Sequence, residues 1–153
     1  MSRGLASEWL TVRVQFVLAA FFVVAGLAKI ADPPGFAHEI HNYGLVPGPF
    51  VNAMALVLPW LEVITGAALF LGIARRSAAR IFGILLVVFI AALSINLARG
   101  RPVDCGCFGL STVQRTDAER LREMKVVILR DAGLLLLAAQ ILYATRREGG
   151  LRI

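Results

Sequence analysis

The stretch IFGILLVVFIAALSINLA, residues 81–98, contains no charged side chain. As a helix it would be about 27 Å long at about 1.5 Å per residue, close to the ~30 Å hydrocarbon core of a bilayer. Similar apolar blocks occupy residues 12–31, 51–74 and 126–145. The chain is 58% hydrophobic and 17% charged, a composition shifted toward lipid relative to soluble domains. We therefore predict an all-α integral membrane protein, residues 1–153 forming a single domain with four transmembrane helices.

The net charge of +6 does not indicate nucleic-acid binding, because the arginines cluster at the ends of the apolar blocks, as in membrane proteins. Lys and Arg are equally frequent on the two sides of the predicted bundle. The short connections differ, since residues 32–50 carry no Lys or Arg whereas a predicted turn at 75–80 carries three Arg. This asymmetry predicts cytoplasmic termini, and we expect the membrane to be the bacterial inner membrane. The loop after residue 98 would then face the periplasm.

That loop contains both cysteines of the chain, Cys105 and Cys107, separated by Gly106. A glycine permits the sharp bend that a disulfide between such close residues needs. A bond closed in so small a ring adds little chain-entropy stabilisation, and strained, exposed disulfides tend to be catalytic or regulatory. The predicted compartment also permits disulfides. We therefore favour a redox-active pair, which makes a thiol–disulfide oxidoreductase, or the redox component of one, the leading functional hypothesis.

A metal site is the alternative hypothesis. His38 and His41, three residues apart on the same predicted side of the membrane, would share one face of a helical turn between residues 36 and 43. Together with Cys105 and Cys107 they could form a tetrahedral Zn set or a soft Cu(I) site. The chain would then be a metal-binding or structural membrane subunit without catalysis.

Ionisable and amide side chains also occur inside the apolar blocks. These are Lys29, Glu62, Asn96, Arg130 and Asp131. Polar groups at membrane depth are costly and usually face the bundle interior or a wet cavity. We predict a polar pocket below the cysteine loop that serves as a proton path or a quinone site, with Glu62 and Lys29 as candidates for proton handling. Interhelical salt bridges and hydrogen bonds are the structural alternative.

The segment NLARGRPVDCGCFG, residues 96–109, resembles the signature of the MauE family of methylamine utilisation proteins, within the broader DoxX-like membrane proteins. The segments AGLAK (25–29), LPWLE (58–62) and LRD (129–131) agree with that resemblance. It implies a four-helix bundle in which Cys105 and Cys107 are the redox pair. It also implies a role in maturing disulfide-containing periplasmic proteins, such as the small subunit of methylamine dehydrogenase, alongside a thioredoxin-like partner.

With two cysteines, the chain cannot pass electrons along an internal series of thiols. The next electron acceptor must therefore be another protein or a quinone. The sequence does not specify either the partner or the direction of electron flow.

Overall fold

In the computed structural model, the described residues are 2–103 and 116–149, with side chains described over 9–103 and 116–146. The regular elements within these ranges are all α-helices, which confirms the all-α prediction. The helices are α1 (Ser2–Ala31), α2 (Pro33–Tyr43), α3 (Gly48–Phe70), α4 (Arg75–Ala98) and α5 (Asp117–Gly149). The predicted Cys-Gly-Cys loop lies outside the described residues.

Within the described ranges, four helical segments are long and apolar enough to cross a membrane. They are Trp9–Ala31, Gly48–Phe70, Arg75–Ala98 and Asp117–Arg146. Many of their large apolar side chains lie on the outer surface, where a soluble protein would place polar groups; Leu129 is 77% exposed and Leu136 is 73% exposed. The chain is therefore a multi-pass membrane protein, as its composition predicts.

The connection between α3 and α4 lies at residues 71–74, earlier than the predicted turn at 75–80. Gly72 and Ala74 adopt the left-handed conformation, with φ of 70° and 48°, and they reverse the chain within four residues. Arg75, Arg76 and Arg80 belong to the first turns of α4 instead. Arginine is a good helix former, so the charged run extends the helix once the chain has reversed.

The shorter α2 and the start of α5 are set by local caps. Asp32 accepts a hydrogen bond from the Gly35 N–H at 3.0 Å, and the two prolines that follow Asp32 suit a first helical turn. At α5, the Thr116 N–H donates to Glu119 Oε2 at 2.9 Å and the Glu119 N–H donates to Thr116 Oγ1 at 3.4 Å. This is a capping box, and α5 continues from it into the fourth span.

Close backbone contact joins α1 to α3. A Cβ atom added to Gly26 would lie 2.7 Å from Val63 Cγ2 and 2.9 Å from the Pro59 carbonyl oxygen. One added to Gly66 would lie 3.0 Å from the Ala19 carbonyl oxygen. Small residues that let helices approach are typical of membrane bundles. These contacts fix the level of α1 against α3.

The bundle has two unlike ends, which we call the turn end, at residues 71–74, and the loop end, at α2 and residues 99–103. Toward the turn end the core is tightly packed, and the rings of Phe22 and Phe82 stack with centroids 3.8 Å apart. α1 does not extend to the loop end. Gly26 lies level with Pro59, near the middle of α3, and α1 ends five residues later at Ala31. At the loop end α2 packs on the outer part of α3 instead.

We predict that Gly26→Ala lowers the stability of the bundle by about 1–3 kcal/mol, the usual cost of overpacking a close contact. Gly133→Ala is the matched control, because a Cβ at Gly133 meets no heavy atom within 4 Å and alanine favours the helix. Thermal unfolding in detergent compares the two variants. Equal stability of both variants would contradict the assigned α1–α3 contact.

Candidate functional site

A buried ion pair joins α1 to α3 near the middle of the bundle. Lys29 Nζ donates to Glu62 Oε1 at 2.6 Å and to Oε2 at 2.8 Å, and the two side chains are 9% and 12% exposed. Glu62 is the fifteenth of the 23 residues of α3. Lys29 is the third residue from the loop end of α1, but α1 ends beside the middle of α3. The sequence predicts Lys29 near the outer end of its span and Glu62 near the middle of its span. Because α1 is offset along α3, the two side chains lie at the same level.

A second pair lies on α5. Arg130 Nε donates to Asp131 Oδ1 at 2.9 Å, and the Asp131 side chain is 2% exposed. The Arg130 guanidinium lies 4.9 Å from the centre of the Phe21 ring, a cation–π contact that ties it to α1. Lys29, Glu62, Arg130 and Asp131 all line the same cavity between the helices. Lys29, Glu62, Arg130 and Asp131 thus form one group, here called the ionic cluster.

The ionic cluster borders a cavity of about 470 Å³ between the helices. This volume falls within the range typical of small-molecule sites. On α3 its wall is formed by Met54, Leu58 and Glu62, which are spaced by four residues and therefore share one face. They span about 12 Å along the helix at about 1.5 Å per residue. The cavity therefore runs lengthwise from the ionic cluster toward the loop end.

Residues of α2 line the cavity from beside the ionic cluster to its other end. Among them are Phe36, Glu39, Ile40 and Tyr43, which recur at the three- and four-residue spacing of one helix face. Phe36 also lies below the Lys29 ammonium, with 5.0 Å from Nζ to the ring centre. These α2 residues are not among the site residues that the sequence predicts. Their spacing in the sequence indicates that they share one helix face. The packing of α2 against the outer part of α3 was not predicted.

Asn96 is the predicted polar residue that does not join the ionic cluster. It is fully buried on α4, where its Nδ2 donates to the Ala92 carbonyl at 3.1 Å. It does not line the cavity. The structure therefore brings together four of the five predicted supporting residues and leaves Asn96 in a packing position nearer the loop end.

The cysteines predicted to react, Cys105 and Cys107, lie outside the described residues. Val103, two residues before Cys105, is buried at the loop end with Tyr43, Leu93 and Met124. His38 and His41 lie on α2 and both are exposed. Over residues 2–103 and 116–149, no group of three or more His, Cys, Asp or Glu side chains is arranged to hold a metal ion. The proposed Cys–His metal set is thus untested and stays a prediction.

Comparison with known proteins decides the family. Residues 7–144 match the family described as methylamine utilisation protein MauE. The chain belongs to the MauE family. This confirms the resemblance carried by residues 96–109, while the broader DoxX-like grouping remains a prediction. No solved structure matches the chain.

Two MauE relatives show how far the similarity extends. The methylamine utilization protein MauE of Paracoccus denitrificans is 38% identical over 96 residues, 62% of this chain and 52% of that protein. The one from Methylorubrum extorquens is 34% identical over 135 residues, 88% of this chain and 69% of that protein. The match spans about half the length of the Paracoccus denitrificans relative. An activity of the longer MauE proteins is therefore only a proposal for this chain.

We predict that replacing one partner of the Lys29–Glu62 pair destabilises this MauE protein more than replacing both. Lys29→Met or Glu62→Leu leaves a buried charge without its partner, which costs about 3–5 kcal/mol. The double variant leaves neither charge, so its loss of stability should be smaller than either single loss. A double-mutant cycle of unfolding free energies in detergent measures this coupling. Additive losses would contradict the ion pair.

Proposed function

We propose that this MauE-family protein is a membrane thiol–disulfide redox protein whose reacting atoms are the sulfurs of Cys105 and Cys107. The observation that carries the proposal is the position of the pair in the chain. The cysteine pair follows Val103 in the sequence, and Val103 packs against Met124 and Leu93 at the loop end of the bundle. The cysteines are therefore tethered by two and four residues to a fixed point, in a segment that joins two apolar helices.

The chemistry is disulfide exchange. A partner thiolate attacks one sulfur of the Cys105–Cys107 bond, that bond breaks, and the other cysteine leaves as a thiolate. A second thiolate of the partner then attacks the mixed disulfide. The partner ends with a disulfide, and the chain ends with two reduced cysteines that hold the two electrons. The same steps in reverse would reduce a partner disulfide.

We propose a thioredoxin-like protein, or a disulfide-containing periplasmic protein, as the partner in this exchange. The relatives are named for methylamine utilization, and we propose the same setting for this chain. In that setting the protein would support the maturation of a disulfide-rich enzyme subunit rather than act on methylamine. Support for this choice comes from Cys105 and Cys107, the two thiol groups of the chain, which are able to exchange with a partner disulfide.

We further propose that the protein lies in the bacterial inner membrane with cytoplasmic termini and a periplasmic cysteine loop. Support comes from Arg75, Arg76 and Arg80, which follow the short 71–74 connection in the first two turns of α4, at the turn end. The connection between α1 and α3, residues 32–47, has no Lys or Arg. Short loops rich in arginine are retained in the cytoplasm.

This orientation predicts that a membrane-impermeant maleimide labels reduced Cys105 and Cys107 in intact spheroplasts. The control is a variant with both cysteines changed to Ser and a new cysteine from Ser77→Cys, near the turn end. That variant should be labelled after the membrane is opened and not before. The opposite pattern would invert the proposed topology.

The exchange mechanism predicts that Cys107→Ser traps a partner as a mixed disulfide on Cys105. The trapped species should appear as a band of higher mass on a non-reducing gel and disappear when the sample is reduced. The double variant Cys105→Ser/Cys107→Ser is the control and should trap nothing. Normal oxidation of the target proteins in cells carrying only the double variant would contradict the proposal. So would stoichiometric zinc or copper that is lost with Cys105→Ser and with His41→Ala.

A further inference from the structure

The cavity has polar groups at its two ends and apolar walls between them. The ionic cluster lies at one end, and Tyr43 and Glu39 of α2 lie at the other. Tyr43 packs in the same cluster as Met124, which precedes Asp131 by seven residues on α5. At about 1.5 Å per residue, the two polar ends are thus separated by about 10 Å along the bundle.

The apolar walls are suited to a flat ring. Phe21, Phe22 and Phe89 line the cavity together with aliphatic side chains of α3 and α4. Aromatic side chains bind rings through offset-stacked and edge-to-face contacts. Ring-containing ligands are therefore favoured over a bare acyl chain.

The charge of the lining opposes an anionic ligand. Two cations, Lys29 and Arg130, line the cavity with three carboxylates, those of Glu39, Glu62 and Asp131. The cations of the ionic cluster are hydrogen-bonded to carboxylates. A phosphate group would meet this excess of negative charge in a medium of low dielectric constant. A neutral ligand with hydrogen-bond acceptors fits better, because an ammonium has three N–H donors and Glu62 accepts two from Lys29.

The cavity also reaches the lipid-facing surface. Val88, Ala91 and Ile95 line it from α4, and Val88 is 59% exposed while Ile95 is 41% exposed. Their spacing of three and four residues places them along one strip of the helix. A ligand dissolved in the bilayer could therefore enter sideways and leave an apolar tail along that strip.

We propose that the cavity binds a membrane-soluble quinone, with one ring carbonyl toward the ionic cluster, the other toward the Tyr43 end, and the tail along the exposed strip of α4. This inference rests on the proposed redox function, since a quinone is the acceptor that reoxidises the cysteines. Two thiols lose two electrons and two protons and form one S–S bond. The quinone gains the same two electrons and two protons and becomes a quinol.

The test uses the full-length protein in phosphatidylcholine nanodiscs and a photoreactive azidobenzoquinone, with decylubiquinone as competitor. We expect saturable labelling of cavity peptides that decylubiquinone prevents. Leu58→Trp, which fills the cavity, should raise the apparent dissociation constant by about tenfold, equivalent to about 1.4 kcal/mol. Leu56→Trp is the matched control, because Leu56 is 59% exposed on the same helix and does not line the cavity.

A second pair of variants keeps the test valid if Leu58→Trp does not fold. Val88→Trp changes an exposed lining residue, and Val87→Trp changes an exposed neighbour outside the lining. Weaker labelling of the Val88 variant alone supports the site. Equal labelling of all four variants, or loss of labelling when phosphatidylglycerol is added, would overturn it.

The variant Cys105→Ser/Cys107→Ser separates this inference from the proposed function. It should bind the quinone as the wild type does, but the reduced wild type alone should convert decylubiquinone to the quinol. Quinone binding with neither quinol formation nor mixed-disulfide capture would refute the redox role and leave the quinone site in place. Mixed-disulfide capture without any quinone binding would refute the site and leave the redox role.

Discussion

Contact between the Lys29 ammonium and the Glu62 carboxylate is the constraint on which the rest of this bundle depends. An isolated charge at the depth of the hydrocarbon core is expensive, so each group stabilises the membrane-inserted state of the other. Their distances of 2.6 and 2.8 Å leave little freedom for α1 to slide along α3. Gly26, whose absent side chain admits Val63 and the Pro59 carbonyl, holds the backbones at the separation that this contact needs.

One consequence is an unequal bundle. With Lys29 level with the middle of α3, the end of α1 leaves the outer part of α3 uncovered, and α2 turns back to pack against it. This replacement is shorter and does not fill the space as a full helix would. Close packing around Phe22 and Phe82 at the turn end and a cavity of about 470 Å³ toward the loop end are two results of the same offset.

The proposed chemistry makes use of this asymmetry. Val103, two residues before Cys105 in the sequence, is packed at the loop end, and the cavity extends from that end to the ionic cluster. Paired charges can donate and accept hydrogen bonds while their net charge stays small. Such a site suits a neutral ligand that takes up protons when it is reduced. The close contacts of the ionic cluster also explain why ionisable groups persist inside helices that are otherwise apolar.

The helical class, the four membrane spans and the MauE family follow from the amino-acid sequence, because apolar length and short motifs are local properties. The sequence also marks Lys29, Glu62, Arg130 and Asp131 as unusual. An ionisable side chain inside an apolar span carries a free-energy cost that is recognisable before its tertiary contacts are known. Tertiary structure alone decided that these four meet, that Asn96 does not join them, and that α2 completes a cavity. The meeting of Lys29 with Glu62 and the position of α2 depend on the offset between α1 and α3, which contacts at Gly26 and Glu62 hold between residues distant in the chain.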